Sequence, residues 1–220
     1  FIEATAVTAR GRITPHCLGL WDDATAAALS DHLQRARHQA PPVPVAIQLA
    51  HAGRKGSSEV PWRGGQLLDA TQGGWWPEGP SALAHLENET APEAMSDQDL
   101  ADVRQAFVQA AQRADAMGID AVELHGAHGY LLHQFLSPLA NQRPDHYGGN
   151  FENRIRYPLE VFQAVREVFS GSLGMRLSAT DWVEGGWTPE ETADFALRLR
   201  QAGADFVHVS SGGVSPKQKI

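Results

Sequence analysis

His125-Gly-Ala-His128-Gly-Tyr130 places two imidazoles and a phenol within six positions, directly after the apolar run Ala121-Val-Glu-Leu124. That run reads as a buried strand, so three titratable, hydrogen-bonding side chains leave one strand end together. Folds built from βα repeats carry their chemistry on that C-terminal edge. A pair of His can grip a carbonyl oxygen as hydrogen-bond donors, and a Tyr can deliver a proton. Two other readings stay open. The His could satisfy loop carbonyls, or they could ligate a metal together with His51, although no carboxylate is obvious at a strand end and the candidates Asp181 and Glu184 sit in a loop.

Other strand ends carry polar groups too. Gln48 is an amide inside the apolar run Val43 to Ala50; it either clamps a neighbouring loop or faces the donors and acceptors of a flat heterocycle. Arg176 lies between Met175 and Leu177 in a strand covered on both faces. A guanidinium there needs an anionic or electron-rich partner, and an ion pair to a helix Glu is the plain alternative. The stretch from Asn141 to Arg154 is dense in charge and turn formers, and scaffold roles are expected for Arg143, Asp145 and Arg154. Trp62, Trp75, Trp76, Trp182 and Trp187 fall in loops, either lining a site mouth or covering the loops themselves. Cys17 reads as a small packing residue.

These residues need a frame. Phe1 to Val7 is a first strand, and Asp22-Asp23 cap an Ala-rich helix that Pro41-Pro42 stop. Residues 55–92, rich in Gly, Pro and Trp, show no period and read as a loop insertion near the site mouth. Ser96-Asp-Gln-Asp99 forms a capping box, and Leu100, Val103, Phe107, Ala111 and Ala114 follow at helical spacing. A helix runs from Asn150 to Phe169, with Pro158 as an early kink. Leu173 to Ser178 is a strand, Thr188-Pro-Glu-Glu191 starts a helix that Gly203 ends, and Asp205 to Ser210 is the last strand. The order β-α-β-α-β-α-β-α-β implies a parallel sheet. A slice of a (βα)8 barrel is favoured over a doubly wound sheet, because polar residues recur at several strand ends: Thr5, Gln48, His51, His125, Arg176 and Ser210. A doubly wound fold gathers its site at one switch point, commonly with a Gly-rich first turn, and neither G-x-G-x-x-G nor a P-loop is present.

Composition bounds the rest. The 220 residues are 42% hydrophobic and 20% charged, ordinary for a globular domain, and the formal charge is −8. That balance argues against nucleic acid or an anionic membrane surface as partner. One Cys permits neither a disulfide framework nor a four-Cys metal site, and it suits a reducing cytoplasm. No apolar run approaches the ~20 residues of a membrane span. The chain begins at Phe1 inside a strand and stops at Ile220 soon after another, so a fragment of a longer protein is expected.

Four strings together resemble the Old Yellow Enzyme family of FMN-dependent ene-reductases: Glu3-Ala-Thr-Ala-Val7 with Gly11-Arg-Ile13, Gln48-Leu-Ala-His-Ala-Gly-Arg-Lys55, Leu124-His-Gly-Ala-His-Gly-Tyr-Leu131, and Tyr147-Gly-Gly-Asn-Phe-Glu-Asn-Arg154. The paired His and the Gln48 string look like the bacterial, thermophilic-like subclass. The resemblance implies an FMN-containing (βα)8 TIM barrel. It would bring Ala4 close to the flavin, set Gln48 on its pyrimidine edge, and put Arg176 near the end of the ring that becomes negative on reduction. His125 and His128 would hold a substrate carbonyl oxygen and Tyr130 would donate the proton. NADPH or NADH would reduce the flavin, which would pass hydride to the β-carbon of an activated alkene. By the same resemblance the chain covers about strands 2 to 6. The first strand would precede Phe1, and the last two, with most of the FMN phosphate site, would follow Ile220. Cys17 does not match the position of the subclass's Cys. The whole protein is expected to take a small-molecule alkene and no nucleic acid or membrane, and to form a homo-oligomer. A dienoyl-CoA-type flavin reductase, a non-catalytic barrel fragment and a metal-dependent hydrolase using His51, His125 and His128 remain the competing readings.

Overall fold

A computed structural model describes residues 1–219. In chain order its elements are β1 (Ile2–Ala6), α1 (Asp23–Gln39), β2 (Ala46–Ala50), β3 (Glu78–Gly79), β4 (Glu93–Ala94), α2 (Asp97–Ala116), β5 (Ala121–Gly126), α3 (Leu131–Leu136), α4 (Phe151–Val168), β6 (Ser172–Ser178), α5 (Pro189–Gln201) and β7 (Phe206–Ser210). Five strands form one sheet in the order β1-β2-β5-β6-β7, with every pair parallel. Each of these strands therefore lies beside its predecessor in the chain. The sheet grows in one direction without the reversal that defines a doubly wound fold. The architecture is a segment of a (βα)8 barrel, as the spread of polar strand ends anticipates.

Alternation along the strands creates two faces. Ile47, Leu49, Val122, Leu124, Leu173, Met175 and Leu177 are fully shielded and pack into one core with Phe107, Ala111 and Ala114 of α2, Val161, Phe162 and Val165 of α4, and Phe195 and Leu199 of α5. The intervening residues, Gln48, Glu123, Arg176 and His208, take the opposite face, the barrel interior. That face is rich in polar side chains, from buried Glu123 to half-exposed His208.

The helices begin where the caps dictate. Asp22, Ser96 and Thr188 each accept from the backbone N–H three residues on, and the residue there bonds back, completing capping boxes. Asn150 caps α4 through the N–H of Asn153. α4 runs unbroken past Pro158 to Val168.

Some elements differ from expectation. The strand expected over Val43 to Ala50 starts only at Ala46, because Pro44 has no N–H to pair and Val43 is exposed. The Asp120 carboxylate accepts from Val45 N at 2.7 Å, closing the strand entry. The last strand starts at Phe206, since Asp205 bonds sideways to Leu173 through both backbone and side chain. The six-residue α3, buried throughout, was not anticipated; one and a half turns carry no readable period. The 55–92 segment contains three-residue 3₁₀ turns at Pro61–Arg63 and Ala70–Gln72, and β3, which pairs with β4 just beyond.

Candidate active site

The turn after β5 is built by backbone conformation. His128 (φ +57°) and Gly129 (φ +73°) are consecutive left-handed residues that reverse the chain above the sheet. At Gly129 a side chain would be impossible: its Cβ would stand 2.2 Å from Gly213 O. The turn is thus pressed against the loop after β7. His128 N donates to Ser178 Oγ at 3.0 Å, and that hydroxyl donates to Gly212 O at 2.8 Å, so β6 and the β7 loop hold the turn from below. Of the three rings that result, His125 is in edge contact with each of the other two. His125 and His128 have centroids 5.2 Å apart, and His125 and Tyr130 4.9 Å, both near perpendicular.

The electrostatics of this cluster favour neutral imidazoles. Burial drives the His125 pKa well below the usual value, and His128 and Arg176 push it the same way. His128 falls to about 4, again through burial first and Arg176 second. Burial raises the Tyr130 pKa, with Cys17 adding to the effect, so the phenol keeps its proton. His125 Nδ1 accepts from Ala127 N at 3.3 Å, which leaves the ring hydrogen on Nε2. His128 Nε2 meets Ser210 Oγ at 2.6 Å. The arrangement can offer two neutral N–H donors and one phenolic proton to a single oxygen-bearing molecule.

Arg176 sits beside His125 in register, one strand over. Among the described residues it has no ion pair or hydrogen bond, and its Nε is shielded from solvent with no partner. The alternative of an ion pair to a helix Glu is not seen among the described residues. Thr5 Oγ1 is likewise buried and unpartnered. Gln48 is nearly inaccessible: its Oε1 accepts from Ala4 N at 3.2 Å and its Nε2 donates to Glu123 at 2.6 Å. The amide therefore clamps a strand, β1, and not a loop. Ala4 itself is left-handed (φ +36°) at the point where the β1–β2 register slips, and such a bulge re-aims the backbone beside a site.

Other sequence candidates lie outside the cluster. His51 is fully buried with its Nε2 3.0 Å from Glu78, and Arg10 holds the other oxygen of that carboxylate at 3.0 Å. His133 is built alike: Nδ1 accepts from Gly129 N at 2.8 Å, and Nε2 approaches Asp181 at 2.9 Å along a bent path. Among the described residues no three His, Cys, Asp or Glu side chains are grouped to hold a metal. Arg143 binds Asp145 and the carbonyls of Pro80 and Met95, and Arg154 binds Glu191 and Leu136 O, the scaffold roles expected of both. Trp187 is core, stacked on Phe151, whereas Trp62, Trp76 and Trp182 are exposed. Cys17 Sγ accepts from Thr14 N at 3.3 Å in a half-buried loop.

Sequence reasoning passed over three residues. Lys55 is the nearest of them: its Nζ donates to His128 O at 2.9 Å and Gly213 O at 3.1 Å, and lies 5.0 Å from the Tyr130 ring centroid. Burial lowers its pKa to about 8, and Arg54 adds to the shift. A loop Lys after Gly-Arg gives no signal of its own, since most such residues are solvated. Glu123 and His208 also join the interior face; period-two alternation from Gln48 and Arg176 would have found them.

The chain as a whole is similar to known proteins. The chain is similar to an NADPH dehydrogenase of Bacillus licheniformis, 43% identical over 98% of this chain and 58% of that protein. Among solved structures it superposes on morphinone reductase in complex with tetrahydroNAD with TM-score 0.75, 31% identity, and 94% and 59% of the two chains covered. It superposes on the old yellow enzyme homologue from Zymomonas mobilis with TM-score 0.75, 25% identity, and 98% and 62% covered. The chain spans 56–58% of the length of the curated relatives it matches. Residues 1–215 match the NADH:flavin oxidoreductase / NADH oxidase family, and the chain belongs to that family, the one that includes Old Yellow Enzyme.

Proposed function

We propose that the whole protein is an FMN-dependent, NAD(P)H-consuming ene-reductase that reduces the C=C bond of α,β-unsaturated carbonyl compounds. The observation that carries this reading is the ring cluster itself. Two His kept neutral by burial and a protonated Tyr share one turn, directly beside a guanidinium that no described residue neutralises.

The residues present fit the flavin. Arg176 Nε and Thr5 Oγ1 are buried polar atoms without partners, which a folded protein tolerates where a ligand completes them. Ala4, Gln48 and Arg176 would hold the flavin ring, with the Arg176 charge favouring the electron-rich reduced form. Bound FMN would supply the hydride that originates from NADPH or NADH. His125 Nε2–H and a His128 N–H would donate to the substrate carbonyl oxygen and stabilise the negative charge that grows there as hydride arrives at the β-carbon. Where Ser210 donates to His128 Nε2, the imidazole hydrogen that faces the substrate would be the one on Nδ1. The Tyr130 hydroxyl would then protonate the α-carbon, completing addition of one hydride and one proton. Lys55 steadies the turn through two carbonyls and places its charge over the Tyr130 ring.

Stopped-flow measurement of the two half-reactions tests the assignment. In Tyr130→Phe, flavin reduction by NAD(P)H keeps its parent rate while alkene reduction slows. Equal slowing of both half-reactions would remove Tyr130 from the proton-donor role.

A further inference from the structure

We infer that Glu123 is a positioning residue for the flavin site, acting through Gln48. The inference rests on the FMN reading above. Glu123 is 1% exposed and ionisable, and none of the chemistry described so far uses it. A carboxylate buried in a barrel interior is costly unless its lone pairs are filled. Both oxygens are filled here. Oε1 accepts from Gln48 Nε2 at 2.6 Å, and Oε2 lies 3.1 Å from His208 Nδ1.

The geometry explains why this position matters. β5 and β7 are not neighbours; β6 runs between them. Between the two strands lies Gly174, the register partner of Glu123 on β6. A Cβ there would meet the Phe206 ring at 2.4 Å. One carboxylate therefore links an amide on β2 with an imidazole two strands away from its own.

An amide has two ends of opposite character, and a flat heterocycle reads the difference. Glu123 accepts and cannot donate when ionised, so it fixes Nε2 as the end that faces it. Oε1 is then turned to the left-handed Ala4 N–H at 3.2 Å. The carboxylate thereby decides which amide atom can face a ring lying over Ala4 and Gln48. The same bond requires His208 to carry its hydrogen on Nδ1, which makes His208 the far anchor of the row Ala4–Gln48–Glu123–His208.

A double-mutant cycle on FMN affinity in the whole protein tests this. Gln48→Leu and Glu123→Met should each weaken FMN binding roughly tenfold, the scale of losing one hydrogen bond to a charged group. If Glu123 acts through Gln48, the double variant loses roughly tenfold also; independent roles would give roughly a hundredfold. Glu123→Gln keeps the side-chain shape and one acceptor oxygen. It should hold FMN within about threefold of the parent, and it serves should the Met variant fail to fold. Additive losses in the cycle, or a Gln variant that loses FMN tenfold with no coupling to Gln48, overturn the proposal. Parent protein that holds no FMN would instead overturn the flavin reading on which the proposal stands.

Discussion

At the scale of single residues, charge state governs the site. His125 and His128 titrate below the ordinary His value because burial disfavours the cation. The unfolded chain therefore binds more protons than the folded one between about pH 6.5 and the lowered folded values, about 4 for His128. Folded-state stability from these groups is present above that window and is lost as pH falls through it. Replacing both His by Asn should flatten the acid side of a denaturation-midpoint profile between pH 6.5 and 4; an unchanged slope would mean that the imidazoles are not held neutral. At neutral pH, His128→Ala should lower kcat/KM for alkene reduction by about 3 kcal/mol of transition-state stabilisation, the cost of one oxyanion-type donor. A fall in KM alone would show a different role. The identities of these residues were legible in the sequence, because polar side chains clustered at the end of an apolar run stand out. Lys55, Glu123 and His208 were not singled out. Alternation places Glu123 and His208 on the interior face, but the bond between them depends on which strands become neighbours, and the role of Lys55 depends on which loops come within its reach; neither is a local property.

At the scale of elements, the caps and the apolar periods carried most of the legible information. Asp22, Ser96 and Thr188 announced three helices correctly, and the α2 core positions fell where the period placed them. The short α3 was hidden because all six of its residues face protein. Trp187 was hidden for a related reason: it belongs to no periodic stretch, yet its indole N–H finds Thr192 and its ring finds Phe151. The β5 turn gives the sharpest prediction at this scale. Gly129→Ala forces a side chain into Gly213 O and asks Ala for φ +73°. Backbone strain alone costs on the order of 1–3 kcal/mol, and the clash adds to it. The variant should unfold at lower denaturant, and its alkene half-reaction should slow more than its flavin half-reaction, since His128 and Tyr130 flank the altered residue. A variant with parent stability would show that the loop after β7 yields freely.

At the scale of the whole molecule, the sequential strand order is the decisive fact. It selects the barrel over the doubly wound sheet, and the spread of polar strand ends had already leaned that way. No helix among the described residues is long and apolar enough to cross a membrane. Within the described residues the sheet has two edges, β1 and β7, and Val209 on β7 is exposed. Unpaired parallel edges invite association. Expressed by itself, the 220-residue chain should self-associate in sedimentation and release flavin on gel filtration. A cooperatively folding monomer that retains stoichiometric FMN would show that these edges are closed in some other way. In the proposed site Arg176 faces the flavin with its charge unpaired by any described residue. The measurement that tests it most directly is the two-electron midpoint potential of bound FMN in the whole protein and in Arg176→Met. The account predicts a fall on the order of 30 mV or more, equivalent to about 1.4 kcal/mol for two electrons, because the electron-rich form loses its cation. An unchanged potential with flavin still bound would contradict it.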